Sequence, residues 1–221
     1  MKSANYDFIL PFYTSTDEIR PAMHNPSLEE DGYVYATNAH ILIRIKEELL
    51  SQKYEKQEKF PKAANFFDER LSTCDKKLTV STDRLIEIVS LAKMRNPIDK
   101  RMCEKCDGGG IVECPECKNE HPCKECRGDG YIQEDCRQFS LLQCDDHSII
   151  KIANHYFDAD LIHKLVITAK MIDATSIEMA FSEKKGYYNY IIASFAEIDI
   201  VIMGRTVNEE TELKELLIGT I

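Results

Sequence analysis

Alternation of apolar and polar residues dominates two parts of the chain, with a helical period inside each. In the first part, RPAMHNPSLEEDGYVYATNAHILIRIK breaks into short runs at Asp31-Gly32 and Asn38-Ala39. An Asp-Gly pair between alternating runs is a hairpin signal. Ile41, Ile43 and Ile45 alternate with Leu42 and Arg44, which suits a strand with one buried face. The segment predicts three adjacent antiparallel strands. Leu78 and Val80 mark a further brief strand. Ser81-Thr82-Asp83 then offers an N-cap to a helix whose Leu85, Ile88, Val89 and Ala92 share one face. Asn96-Pro97 is expected to end that helix.

In the second part, FSLLQC and SIIKI read as a hairpin turning at Asp145-Asp146-His147. A strand over residues 149–157 leads to Asp158 as N-cap, then to a helix with Ile162, Leu165, Val166 and Ala169 on one side. Three strands follow: Ile177, Met179 and Phe181 alternate, YYNYIIASF comes next, and Ile198, Ile200 and Ile202 alternate again. Gly186 supplies the first turn. The order is β-α-β-β-β. Residues 1–20, with Tyr6, Phe8, Phe12 and Tyr13, predict a strand and a short helix. The charged run 46–60 reads as a solvated helix or loop. Residues 206–221 predict a C-terminal helix in which Leu213, Leu216 and Leu217 close the core.

Several short segments resemble bacterial polymerase sliding clamps. Those proteins carry Arg-Pro-Ala-Leu leading into a strand and then Ala-Thr-Asp-x-His-Arg-Leu. Here Arg20-Pro21-Ala22-Met23 and Ala36-Thr37-Asn38-Ala39-His40-Ile41-Leu42 stand in those places, with Asn38 and Ile41 as departures. Phe60-Pro61 is similar to the start of a Phe-Pro-x-Tyr segment, and Phe157-Asp158-Ala159-Asp160-Leu161 to the start of the clamp helix. Ile200-Val201-Ile202-Met203 resembles an Ile-x-Met-Pro-Met strand that here lacks the proline. The resemblance implies an α+β fold with a clamp-like antiparallel sheet of β-α-β-β-β units. It also implies a role beside DNA, although a ring of this type uses six such domains.

Charge narrows that picture. Lys and Arg number 28 against 38 Asp and Glu, a net −10, which weakens any simple nucleic-acid reading. DNA contact, if any, is expected to be weak and to fall to Arg84, Lys93 and Arg95 on the first helix and Lys164 and Lys170 on the second. The 43% hydrophobic and 30% charged composition is that of a globular protein. No apolar run approaches the length of a membrane span. Nine cysteines behind an N-terminus without a basic start and long apolar run point to a reducing cytoplasm.

Those cysteines concentrate in residues 103–126, CEKCDGGGIVECPECKNEHPCKEC, as three Cys-x-x-Cys pairs. Each pair puts two sulfurs on one turn, the bite a tetrahedral metal ion takes from one chain segment. Sixteen residues separate Cys106 from Cys123, a gap that lets two such turns meet on one zinc. Glycines 108, 109, 110, 128 and 130 permit positive φ beside the turns. The segment's apolar content is too poor to offset its chain entropy, so metal must supply folding energy. Disulfides would need an oxidising compartment, and iron–sulfur ligation would use the same sulfurs.

Cys103-Glu-Lys-Cys106-Asp-Gly108-Gly-Gly110 and Cys123-Lys-Glu-Cys126-Arg-Gly128-Asp-Gly130 resemble the cysteine-rich zinc domain of DnaJ-type co-chaperones. That family pairs the outer of its four repeats on one zinc and the inner two on another. The resemblance implies that Cys103, Cys106, Cys123 and Cys126 hold one structural zinc. Only three repeats occur here, so Cys114 and Cys117 would need His121, Cys136 or Cys144 to complete a second site. No His-Pro-Asp tripeptide of a J-domain is present.

No phosphate-binding glycine loop, Gly-x-Ser-x-Gly elbow or His-Glu-x-x-His occurs. A zinc held by four thiolates has no open position for water. His40 is expected to pack or hydrogen-bond. The parts are therefore a clamp-like domain over 1–97 and 137–205, an inserted zinc module over 98–136, and a tail over 206–221. The expected function is a non-enzymatic accessory or scaffold factor in DNA metabolism, of the kind carried by phage or mobile elements. The alternative is an adaptor whose zinc module contacts a partner chain. A protein partner is expected in either case, with no membrane and no small-molecule substrate.

Overall fold

A computed structural model describes residues 6–92, 94–95, 98–113, 118–135, 143–144, 148–182, 189–207 and 217–221. Its contacts divide into one unit of Met1–Lys93 with Cys144–Ile221 and another of Met94–Gln143. In chain order the first elements are β1 (Ser27–Leu28), β2 (Tyr33–Thr37), β3 (Ile41–Lys46), α1 (Ala63–Thr73), β4 (Lys76–Ser81) and α2 (Thr82–Val89). There follow β5 (Met94–Arg95), β6 (Ile98–Met102), β7 (Ile111–Glu113), β8 (Glu120–Pro122), β9 (Tyr131–Asp135) and β10 (Gln143–Cys144). The last are β11 (Ile149–Ile152), β12 (His155–Asp158), α3 (Ala159–Met171), β13 (Ser176–Phe181), β14 (Tyr190–Phe195), β15 (Ile198–Met203) and β16 (Leu217–Thr220).

The larger unit is mixed α+β. Seven strands form an antiparallel sheet in the order β1-β2-β3-β15-β14-β13-β4. The three-strand reading of residues 20–46 holds from Ser27 onward, Pro21–Met23 being a 3-10 turn instead: Gly32 (φ +79°) and Ala39 (φ +76°) take the left-handed turn positions. Asn38 makes the second turn by accepting the backbone N–H groups of His40 and Ile41 on its side-chain oxygen. The β-α-β-β-β order also holds, as β12, α3, β13, β14 and β15. Ile162, Leu165, Val166 and Ala169 of α3 are buried, and Ile198, Ile200 and Ile202 of β15, the strand α3 packs against, are buried too.

Both faces of the sheet are covered. One buries Ile41, Ile43 and Ile45, and the other packs Tyr35, Leu42, Ile192 and Val201 against Ala63 and Phe67 of α1. The sequence reading did not anticipate α1. Only Ala63 and Phe67 are buried in its eleven residues, so it carries almost no apolar stripe. The same helix covers Leu42, which alternation alone would leave on an open face.

Other expectations are corrected. Residues 1–20 form no strand where described; Tyr6–Phe8 and Leu10–Tyr13 are 3-10 turns. The helix capped by the Ser81 hydroxyl, which accepts the Arg84 N–H, stops at Val89 rather than reaching Asn96-Pro97, though Ala92 is buried as expected. The strand over 149–157 is a hairpin, β11 with β12, broken at Ala153 (φ +51°). β11 takes β16 as its other partner, in parallel, so it does not form the expected hairpin with FSLLQC; Asp145-Asp146-His147 lies outside the described residues, as does Gly186. Asp158 occupies the N-cap of α3 without a capping bond and accepts from Arg205 Nη1 at 3.2 Å instead. The C-terminal helix is replaced by β16 where described; Leu217 is exposed, and Leu213 and Leu216 lie outside. Gly219 of this strand lies against Ile88, where a Cβ would come within 2.6 Å of a methyl.

The smaller unit contains two antiparallel ribbons, β6 with β9 and β7 with β8. Its core is a cluster of Cys103, Cys123 and Cys126, with Cys106, Val112 and Ile132 packed on it. Met102, Ile111 and Tyr131 are half exposed.

Candidate functional site

Two repeats of one backbone motif build the thiol cluster. Gly108 and Gly128 donate their N–H groups to the carbonyls of Cys103 and Cys123, and Gly109 and Asp129 do the same to Cys106 and Cys126. Cys103 N–H donates to Gly130 O at 2.9 Å, and Cys123 N–H to Gly110 O at 2.8 Å. The two turns are thus related by an approximate two-fold exchange. Gly110 (φ +72°) and Gly130 (φ +78°) lie where the turns cross, and a Cβ on either would come within 2.2 Å of a carbonyl oxygen of the opposite turn. Only glycine fits there.

The result is four sulfurs, of Cys103, Cys106, Cys123 and Cys126, all within 4.8 Å of one another. Cys103 and Cys123 approach to 3.8 Å, Cys106 and Cys126 to 3.6 Å. The Gly130 N–H points at Cys126 Sγ from 3.2 Å. Burial pushes the Cys106 thiol up to about 12, whereas the backbone N–H groups of Cys126 and Glu125 draw Cys123 down to about 7. Four sulfurs this close do not all ionise unless a cation joins them. The donor set therefore fits a thiophilic metal ion in closed, four-coordinate geometry.

The remaining predicted ligands fare differently. His121 lies on β8 opposite Val112, exposed and apart from the four thiols. Cys114, Cys117 and Cys136 lie outside the described residues; Cys144 is on β10.

A second site lies in the larger unit and was not singled out by sequence. A cavity of about 300 Å³, almost wholly apolar, is lined by Met23, Thr37, Ala39, Ile41, Leu42, Pro61, Val201 and Met203, with Lys62, Ala63 and Phe66 of the α1 end closing it. Met23 ends the Arg-Pro-Ala-Met segment, Thr37 to Leu42 span the Ala-Thr-Asn-Ala-His-Ile-Leu segment, Pro61 belongs to Phe-Pro, and Met203 ends the Ile-Val-Ile-Met strand. Four segments scattered over about 180 residues, each noted separately for its clamp likeness, converge on one hollow. The signal was available as motifs, but adjacency needed the β2-β3-β15 order. His40 adds only its carbonyl, which accepts the Met203 N–H at 2.9 Å; its side chain is exposed.

Of the residues expected to contact DNA, those described fall on α2, α3 and β5. Arg84 is exposed but paired with Glu87 at 3.0 Å, and Lys164 lies 3.8 Å from Asp160. Lys170 is exposed in the last turn of α3. Lys93 lies outside the described residues, and Arg95 is on β5 rather than on α2.

No known protein-family profile matches the chain, and no curated protein does. Solved structures do. The structural neighbours are DNA polymerase III beta sliding clamps. The DnaN sliding clamp from Bartonella birtlesii, solved bound to griselimycin, aligns with a TM-score of 0.47 and 13% identity over 90% of this chain and 62% of that one. The clamp from Bacillus subtilis gives 0.46 and 12% over 91% and 62%. DNA polymerase III subunit beta from Borrelia burgdorferi, in complex with a natural product, gives 0.43 and 14% over 91% and 60%. The chain thus spans about three fifths of the length of these clamps. Among the described residues, no helix is long and apolar enough to cross a membrane.

Proposed function

We propose that the protein is a non-enzymatic accessory or scaffold factor in DNA metabolism. In this reading the larger unit takes an apolar segment of a partner protein into the cavity between β2, β3, β15 and the start of α1. The observation that carries it is the convergence of the four clamp-like segments on that cavity. A hollow of about 300 Å³ suits one or two aliphatic or aromatic side chains, and its few polar atoms give little purchase for chemistry on a substrate. The smaller unit holds one structural zinc through Cys103, Cys106, Cys123 and Cys126, in the manner its DnaJ-like repeats suggest. Zinc there binds four thiolates, offsets two of their four charges, and supplies folding energy that the unit's described apolar side chains do not.

The test is partner capture from the native cell by wild-type and Met23→Arg protein, each with and without nuclease. Met23 is half-buried at the cavity, so the arginine places a charge there without opening the main core. A partner that survives nuclease and is lost from the variant is the expected result. Equal capture by both proteins rejects the cavity. The half-exposed Met102, Ile111 and Tyr131 favour a second reading, an adaptor that binds through its metal module. Capture abolished by Tyr131→Ser and untouched by Met23→Arg would select it.

A further inference from the structure

The four thiols are not equally protected. Cys103 and Cys123 are fully buried and Cys126 is 5% exposed, while Cys106 is only half-buried. Two sulfur approaches run across the turns, Cys106 to Cys126 at 3.6 Å and Cys103 to Cys123 at 3.8 Å. We propose that Cys106 is a site of oxidation by hydroperoxides, resolved by Cys126 into a cross-turn disulfide that releases the metal. The inference rests on the zinc reading given above.

The chemistry balances as a two-electron oxidation. Cys106, which the metal would hold as a thiolate, attacks hydrogen peroxide, so an S–O bond forms as the O–O bond breaks, and hydroxide leaves. The Cys126 thiolate then attacks the Cys106 sulfur, the S–S bond forms, the S–O bond breaks, and a second hydroxide leaves. Both sulfurs start 3.6 Å apart, and closing to the roughly 2.05 Å of a disulfide needs only a small side-chain shift. Cys106 and Cys126, once joined, no longer supply thiolates, so a zinc held by all four cysteines would lose two ligands and leave without any redox change of its own. The crossing bonds from Cys103 N–H to Gly130 O and from Cys123 N–H to Gly110 O hold the turns in register. The disulfide therefore ties together turns that are already adjacent, which makes the step reversible by a thiol reductant with zinc. Cys74, half-buried with its thiol raised by burial, lies outside the cluster and serves as an internal control.

The experiment treats the zinc-loaded full chain with one equivalent of hydrogen peroxide. Zinc release is followed with a chromogenic chelator, and disulfides are mapped by mass spectrometry of non-reduced peptides. Zinc content measured beforehand tests the metal reading separately. The expected result is about one equivalent of zinc released, Cys106–Cys126 as the first disulfide, and recovery on adding reductant and zinc. The Cys74→Ser variant should respond like the wild type. A first bond within either Cys-x-x-Cys pair, zinc retained, sulfinic acid as the main product, or a Cys74→Ser variant that no longer responds overturns the proposal.

Discussion

The two units of this chain are held by different physics. In the larger one, burial is apolar and spread over many elements: Ile9, Leu10, Phe67, Leu85, Phe157 and Leu165 are among its fully buried side chains. In the smaller one, the buried centre is three cysteines, while Met102, Ile111 and Tyr131 face water. A fully buried leucine or phenylalanine contributes roughly 1.5–3 kcal/mol, and many such residues act together in the sheet unit. Among its described residues the smaller unit has no comparable reserve, so on the zinc reading its stability comes from ligand bonds. Removing one term should be survivable in the first unit and fatal in the second.

The largest effect should therefore follow removal of metal. Structural zinc contributes an apparent 10–16 kcal/mol or so in small zinc modules. Chelation, or the Cys103→Ser/Cys106→Ser double substitution, should collapse amide-exchange protection over β6 to β9 while β13, β14 and β15 keep theirs. Protection lost from the sheet as well would show that the units share one cooperative core. A metal assay that finds no zinc in the purified protein would break the comparison at its root.

Next in size is the converse experiment. Leu165→Ala should cost the larger unit about 2–5 kcal/mol in denaturant unfolding, because Leu165 is fully buried in α3. Zinc content should stay the same. A loss below about 0.5 kcal/mol would mean that the α3 face contributes little.

These two experiments probe features of very different legibility. The strands around Ile41–Lys46 and Ile198–Met203 could be read because period-two alternation is local and needs no partner. The turns that gather the four thiols could be read because Cys-x-x-Cys followed by glycine specifies both the sulfur spacing and the backbone. What failed was decided by tertiary context. Leu217-Ile-Gly-Thr looked like the end of an acidic amphipathic helix, yet the open side of β11 recruits it as a strand. α1 shows little stripe because, of its residues on the sheet, only Ala63 and Phe67 are fully covered, with Ala64 and Phe66 packed at the edge. The apolar cavity was invisible since its walls come from segments that only sheet order brings together.

A smaller effect separates polar from apolar anchoring inside the larger unit. Asp7 is buried, which by itself raises its pKa, but the Ser51 hydroxyl and N–H, the Gln52 N–H and the Tyr54 hydroxyl all donate to its carboxylate and hold it below the ordinary value. A carboxyl depressed in the folded state adds stability that is complete above about pH 5. That stability declines once the pH passes the unfolded value of about 3.9, and is gone below the native one. Asp7→Asn should cost about 1–3 kcal/mol at neutral pH. It should also flatten the acid limb of the stability curve. An unchanged acid limb would show that this carboxylate does not anchor residues 51–54.

The smallest expected effect concerns DNA, and ion pairing sets its size. Arg84 and Lys164 already face Glu87 and Asp160, so a phosphate would have to displace a carboxylate to reach them. Among the described residues Lys170 is exposed and makes no ion pair, so it is the cation of the two helices with most to gain from a phosphate. Each phosphate contact adds about 0.9 to the salt slope of binding to duplex DNA. Lys170→Gln should therefore lower that slope by about one, and Arg84→Gln and Lys164→Gln by less. With a net charge of −10, the affinity itself should be no better than roughly 10⁻⁴ to 10⁻⁶ M and indifferent to sequence. Fluorescence anisotropy with duplex and single-stranded DNA at low salt measures both quantities. Equal slopes for all three variants would mean that the helices do not face the phosphates. No binding at roughly tens of micromolar protein would leave the protein partner, not DNA, as what the larger unit recognises.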